Sequence, residues 1–240
     1  MEKNFSRRPF VLLMTAVCIL IPVSLAQEAP VSLEQPMPDI TLPIFQGGEI
    51  TLSQLKGKNV MLIFSRGLAG EDHWCHICNY QYAEWSEWEE TKKIREKYNL
   101  EILFVLPYSK DMASEWVDKF PEQLNDIENW KNPAEPEKLD ERGKQRMERM
   151  RSYFPKSYHF EKGNVPLPFP VLVDAERKLS KGLGIFTTEW SGRKIEQNIP
   201  SVYILDSDGI VRFKYISQNT FDRPSPKYLL RVLNCMSAEK

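Results

Sequence analysis

Cys75 and Cys78 are separated by two residues in the stretch EDHWCHICNYQ, residues 71–81. Two thiols at this spacing can cycle between dithiol and disulfide, supply half of a metal site, or fill space at the start of a helix. Each possibility needs different company. A redox pair needs one sulfur held as the thiolate, the reactive form, and a second within reach to displace whatever the first captures. A structural zinc site needs about four ligands. Beyond this pair the sequence offers His73, His76 and His159, with no second CxxC. A c-type haem attachment would place His directly after Cys78, where Asn79 stands. Ligand count therefore leads us to expect no metal and no cofactor.

The pair falls where a strand hands over to a helix. NVMLIFS, residues 59–65, is a continuous apolar run of the kind buried on both faces. The loop RGLAGEDHW leads from it into a helical stretch from about Cys75 to Tyr98, whose Trp85, Trp88, Ile94 and Tyr98 read as a core stripe. Unpaired N–H groups and the helix dipole favour negative charge at such a start, so the expected thiolate is Cys75. A protonated His76 would assist it. Cys78, nearly one turn further on, would resolve the mixed disulfide. Arg66 reads as the close of the strand, with a thiolate-stabilising role as the alternative.

The remaining elements form a frame around this junction. DITLPIFQGGEITL predicts a hairpin about Gly47-Gly48, and SQLKG a single turn. LEILFVLP is a second buried strand, and SKDMASEWVDKF a helix expected to end at Pro121. Residues 122–165 are charged and poor in aliphatics, with a helix between Pro136 and Phe154. They read as a solvated insertion in preference to a lid over the site. FPVLVD is a strand, AERKLSKGLGI a short helix and TTEWSGRKIEQN a polar loop. SVYILDSDGIVRFKYI predicts a hairpin turning at Asp208-Gly209, and a last helix runs from Ser225 to Met236 with Cys235 packed inside it. The sum is an α/β fold: a mixed central sheet with helices on both faces, an N-terminal β-hairpin and a charged helical insertion.

The first 26 residues have another character. Lys3, Arg7 and Arg8 precede an apolar run from Phe10 that ends at Ser24-Leu25-Ala26, which suits a signal peptide cleaved after Ala26. The run is short for a membrane span and is interrupted by Pro22. SRRPFVL is similar to a twin-arginine signal. Val17 is too bulky for a lipoprotein site at Cys18. Residues 27–36 would form a Pro-containing lead and 37–240 one domain. The expected location is periplasmic or extracellular, with membrane contact only during export. Three cysteines would remain, Cys75, Cys78 and Cys235, too few for a disulfide-stapled scaffold. A formal net charge of −1 over 240 residues argues against a nucleic-acid partner.

From about Met37 to Asn234 the sequence resembles the thioredoxin-like superfamily, in its AhpC/TSA or redoxin branch. The resemblance rests on WCHIC after a buried strand, on FPVLVDAERKLSKGLGI and on NIPSVYILDSDGIV. It implies a thioredoxin-like fold and a thiol–disulfide oxidoreductase in which Cys75 attacks and Cys78 resolves. It puts Pro200 where such proteins carry a cis-proline facing the CxxC, with the Ile199 backbone as an edge for substrate, and Trp74 and His76 as further substrate contacts. The implied partners are protein thiols or disulfides, or peroxide, together with an unidentified reducing partner. Peroxiredoxins carry a Pro and a Thr or Ser ahead of their peroxidatic cysteine, and SRGLAGEDHWC has neither at that spacing. A peroxiredoxin-like peroxidase using Cys75 stays open as an alternative. So does a redox-inactive or copper-handling binding module, although copper carriers of this fold space their cysteines by three residues.

Overall fold

This computed structural model describes residues 31–238; the expected signal segment, its cleavage point and Cys18 lie outside them. An antiparallel hairpin of β1 (Thr41–Pro43) and β2 (Glu49–Thr51) turns at Gly47 and Gly48, both at positive φ. A 3₁₀ turn leads to β3 (Asn59–Phe64), followed by β4 (Leu68–Gly70), β5 (His73–Trp74) and α1 (His76–Lys92). Then come α2 (Ile94–Lys97), β6 (Leu100–Leu106), α3 (Lys110–Asp118), α4 (Phe120–Lys131) and α5 (Glu141–Tyr153). The chain continues through β7 (Val171–Val173), α6 (Lys178–Gly182), β8 (Phe186–Trp190) and β9 (Arg193–Asn198). It closes with β10 (Ser201–Leu205), β11 (Val211–Ile216) and α7 (Pro226–Ala238).

The central sheet has the order β11-β10-β3-β6-β7. β3, β6 and β7 are parallel, and β10 and β11 run against them. β3 and β6 are apolar apart from Asn59 and Glu101 near their starts, because both faces of the sheet are covered. Side chains alternate across the sheet. Met61, Ile63, Ile102 and Phe104 pack towards α1, α3 and α4, while Val60, Leu62, Phe64 and Leu103 pack towards the first hairpin and α6. The mixed sheet, the two buried strands and the hairpin about Gly209 agree with the sequence reading.

Several local expectations are corrected. Pro121 does not end a helix but lies in the first turn of α4, where its missing N–H costs nothing. The helix from the CxxC breaks at Lys93, which takes a left-handed φ of 49°, and Trp88 of the expected stripe is only partly buried. The loop before Trp74 is the small β4–β5 hairpin, and the polar stretch before Ile199 is the β8–β9 hairpin. The insertion is not merely a solvated face: Leu124 and Ile127 of α4 and Met150 and Phe154 at α5 bury into the core against α1. Cys235 is exposed, because Leu229, Leu230 and Leu233 form the packed face of α7.

One contact fixes the hairpin that delivers the CxxC. The Tyr108 hydroxyl accepts the Leu68 N–H at 2.9 Å and donates to Glu196 O at 2.7 Å, tying β4 to β9. Its ring lies so close to Gly67 that a Cβ there would fall 2.1 Å from Tyr108 Cε2, and Gly67 has φ +81°. Gly67→Ala meets both penalties, left-handed backbone and a clash, and should cost about 3 kcal/mol of unfolding free energy. Chemical denaturation checks this; a loss below about 1 kcal/mol would show that the Tyr108 ring moves aside freely.

Candidate redox site

β3 runs on through Ser65 and Arg66, and the β4–β5 hairpin returns the chain so that the Cys75 N–H donates to Gly67 O at 2.9 Å. Cys75 is the N-cap of α1, but its side chain makes no capping bond to the helix amides. Its carbonyl takes that part, accepting the Cys78 N–H at 2.9 Å. Both thiols turn instead towards Arg223, in the loop after β11. Arg223 Nη1 donates to Cys78 Sγ at 3.1 Å and Nη2 to Cys75 Sγ at 3.4 Å. The Arg66 backbone N–H adds a second donor to Cys78 at 3.3 Å. One planar guanidinium thus bridges the two sulfurs, a use of its fixed fork that a lysine could not copy.

Charge on this pair falls on the inner sulfur. Burial pushes the Cys78 thiol up, but the hydrogen bond from Cys75 and the charge and hydrogen bond of Arg223 outweigh it, so its pKa lies well below the usual thiol value. Cys75 is pushed well up, first by donating its hydrogen to Cys78, then by burial and by the charge on Cys78, with Arg223 opposing. By hydrogen-bond geometry the inner sulfur, not the outer one expected at the helix start, has the stronger donors. Cys78 takes the Arg66 N–H and Arg223, whereas Cys75 makes no capping bond and the Cys78 amide lowers its pKa only weakly. Burial lowers the Arg223 pKa, and the two sulfurs raise it by more, leaving it above the ordinary value.

Arg66 serves the strand end and the site together. Its guanidinium is buried, donates from Nε to Gln197 Oε1 at 2.6 Å and lies 5.1 Å from the centre of the Trp190 ring. Burial lowers its pKa and the charges of Cys75 and Cys78 oppose that fall.

The other expected site residues are placed unevenly. Trp74 is buried edge-on against Tyr108, and its carbonyl accepts from Gln123 of α4 at 2.7 Å. His76 lines the cleft that reaches Cys75, with its Nε2 3.0 Å from Asp126 Oδ2 and its ring 4.5 Å from Trp130. No cis peptide occurs among the described residues, so Pro200 follows a trans bond, against expectation. The Ile199 backbone is no free edge either. Its N–H donates to Ile185 O at 2.7 Å and its carbonyl accepts from Ser201 Oγ at 2.8 Å, because the β8–β9 hairpin occupies that side. Among the described residues no group of three or more His, Cys, Asp or Glu is arranged to hold a metal.

Substrate access is one-sided. A cleft of about 280 Å³ reaches Cys75 but not Cys78. Arg66, His73, His76, Arg193, Trp130 and Phe221 line it, and no carboxylate does. Cys75 is 3% exposed and Cys78 0%.

The sequence matches the AhpC/TSA family over residues 33–214. The chain belongs to the AhpC/TSA family. No curated protein matches it. A cysteine-to-serine variant of peroxiredoxin 6 from Arenicola marina superposes with a TM-score of 0.56 at 13% identity, over 88% of this chain and 76% of that one. Reduced 2-Cys peroxiredoxin of Plasmodium vivax gives 0.54 at 16% identity, over 88% and 84%. Mycobacterium tuberculosis AhpC gives 0.54 at 16%, over 88% and 96%. At these identities the likeness is one of fold. Membership makes this AhpC/TSA protein a thiol-dependent oxidoreductase or peroxidase.

Arg223 lies beyond the matched stretch, and the sequence reading missed it. It is 145 residues from Cys78, in FDRPSPKYLL, with no spacing rule to connect them. Arg193, Trp130, Phe154 and Phe221 were missed for the same reason. The insertion supports this loop directly: Tyr153 stacks on Phe221 at 4.3 Å and 18°. Behind that stack Glu84 lines a second cavity of about 250 Å³, and burial raises its pKa from 4.5 to about 7, with Lys156 opposing and Glu87 adding.

Arg223→Gln should raise the pKa of the thiolate by about 1–3 units, read from absorbance at 240 nm in a Cys235→Ser background. An unshifted midpoint would remove the guanidinium as holder of the charge. For Glu84 the folded state binds its proton more tightly than the unfolded chain, so the stability it contributes is present below pH 4.5 and lost as pH rises through about 7. Glu84→Gln should therefore match the wild type at pH 4 and exceed it by about 2 kcal/mol at pH 8 in denaturant melts.

Proposed function

We propose that this AhpC/TSA protein is an exported thiol–disulfide oxidoreductase whose Cys75/Cys78 pair alternates between dithiol and disulfide. The observation that carries the reading is a single guanidinium within 3.1 and 3.4 Å of the two sulfurs, with only Cys75 open to the cleft. Cys75 forms the mixed disulfide with a substrate, since an incoming sulfur meets it first. Cys78, hydrogen-bonded to it from behind, breaks that bond and completes the internal disulfide. The substrate would be a thiol or disulfide, and a separate reducing or oxidising partner would return the pair to its starting state. Export rests on the basic start, the apolar run and the Ser24-Leu25-Ala26 end of the N-terminal segment.

The second reading, a thiol peroxidase with Cys75 as peroxidatic residue, draws on the family and on Arg223 Nη2, a donor beside Cys75 that a peroxide oxygen could accept. The raised Cys75 pKa slows attack by reduced Cys75 in both readings, and the second cysteine beside it is what favours exchange over peroxide reduction. The copper-handling alternative has little to stand on in a two-residue spacing.

Mixing the reduced protein with oxidised glutathione and following adducts by mass separates the readings. Cys75→Ser should abolish exchange by at least 100-fold, and Cys78→Ser should accumulate a glutathione adduct on Cys75. Hydrogen peroxide consumption that survives Cys78→Ser and disappears in Cys75→Ser would favour the peroxidase. Retained copper without turnover of either substrate would favour the binding module.

A further inference from the structure

The two sulfurs are held unequally, and in an order opposite to their accessibility. Cys78 accepts from the Arg66 amide at 3.3 Å and from Arg223 at 3.1 Å. Cys75 accepts the other Arg223 arm at 3.4 Å and makes no capping hydrogen bond, the Cys78 amide acting on it only weakly. Yet Cys75 lines the cleft and Cys78 does not. The better-supported anion sits on the sulfur that substrate cannot touch. A pair built to attack substrate would place it on the outer sulfur, where the nucleophile is needed. The inner sulfur is where a leaving group is needed.

We infer that the oxidised pair is the working form: a substrate thiol attacks the Cys75 sulfur of the Cys75–Cys78 disulfide, Cys78 departs as the thiolate that Arg223 and the Arg66 amide receive, and Arg223 sets the pair as an electron acceptor from thiols. This rests on the exchange reading above and adds to it a direction and a substrate class.

The step balances. A substrate thiolate bonds to Cys75 as the Cys75–Cys78 bond breaks, leaving the electron pair on Cys78. A second thiolate, from the same molecule or another, attacks the substrate sulfur of the mixed disulfide and expels Cys75, which takes up one proton. Two thiolates become one disulfide, and the pair gains two electrons and a proton. Exchange is faster when the leaving thiol has the lower pKa, and a couple whose reduced form is stabilised is the more oxidising one. The opposed acidities of Cys75 and Cys78 agree with that assignment.

Two further features point the same way. Among the described residues no carboxylate pairs with Arg223; the groups that raise its pKa are the two sulfurs. Oxidation removes its counter-ion, and a desolvated cation without a partner destabilises that state relative to the reduced one. The cleft suits an arriving thiolate. Arg66 and Arg193 line it, no Asp or Glu does, and Arg193 has no ion-pair partner among the described residues; burial lowers the His73 pKa, so the charge comes from the arginines. The chain as a whole carries −1, so this attraction is local to the cleft.

The test is equilibration of the full chain with glutathione redox buffers, counting reduced and oxidised protein by alkylation and mass. Arg223→Met should lower the equilibrium constant for reduction of the protein by at least tenfold, which is about 30 mV towards more negative potential. It should also slow reduction of the oxidised form by glutathione, while a melting curve confirms that the variant is folded. An unchanged constant in folded Arg223→Met overturns the inference. A measurement on the wild type needs no variant: oxidised protein given substoichiometric glutathione and quenched with acid should carry the adduct on Cys75, with Cys78 free. An adduct on Cys78 overturns the assignment of leaving group. Absence of any exchange in either direction overturns the exchange reading itself, a result distinct from exchange with the wrong order.

Discussion

A guanidinium without a carboxylate is the constraint on which this protein turns. Desolvating a cation costs several kcal/mol unless an anion meets it, and Arg223 meets two sulfurs. Its charge and theirs are one system: the thiolate offsets the cost of burying the cation, and losing it on oxidation makes the oxidised state the less stable one. The surrounding structure can be read as what keeps the three groups together. Tyr108 pins the β4–β5 hairpin, Gly67 admits the Tyr108 ring, and the Cys75 amide bonds back to Gly67. Gln197 and Trp190 hold the Arg66 side chain so that its backbone N–H points at Cys78.

The charged insertion belongs to the same arrangement. Its inner residues, Leu124, Ile127 and Phe154, cover a face of α1 that would otherwise be wet, so that almost the whole first half of that helix is buried. Desolvation of this kind strengthens every electrostatic contact near the start of the helix. Its outer end, through Tyr153 against Phe221, steadies the loop that carries Arg223. Gln123 and Asp126 of α4 hold the Trp74 carbonyl and the His76 ring at the cleft. An element that looks like a solvated decoration therefore sets the dielectric and the orientation of the site.

The fold is shared with peroxiredoxins, yet the chemistry at the helix start is arranged differently from a lone cysteine awaiting peroxide. Two thiols share one proton and one guanidinium, and the reachable thiol is the one that keeps the proton. Family and fold define the reaction class, thiol-dependent redox chemistry; these few hydrogen bonds decide which sulfur gives and which receives.

Much of this was legible in the sequence because it depends on near neighbours. The CxxC at a strand-to-helix junction, the apolar runs of 59–65 and 100–107, and the turns at Gly47-Gly48 and Asp208-Gly209 follow from periodicity and from backbone preferences that act over a few residues. Pro121 was misread because the same residue that stops one helix is equally at home opening the next. TTEWSGRKIEQN was misread because a polar hairpin on the surface has no apolar alternation to reveal it. What only the tertiary structure decided is the electrostatics of the pair. Helix position alone makes Cys75 the anion. Arg223, brought from 145 residues away, makes it Cys78, because charge follows distance through space and the sequence orders residues only along the chain.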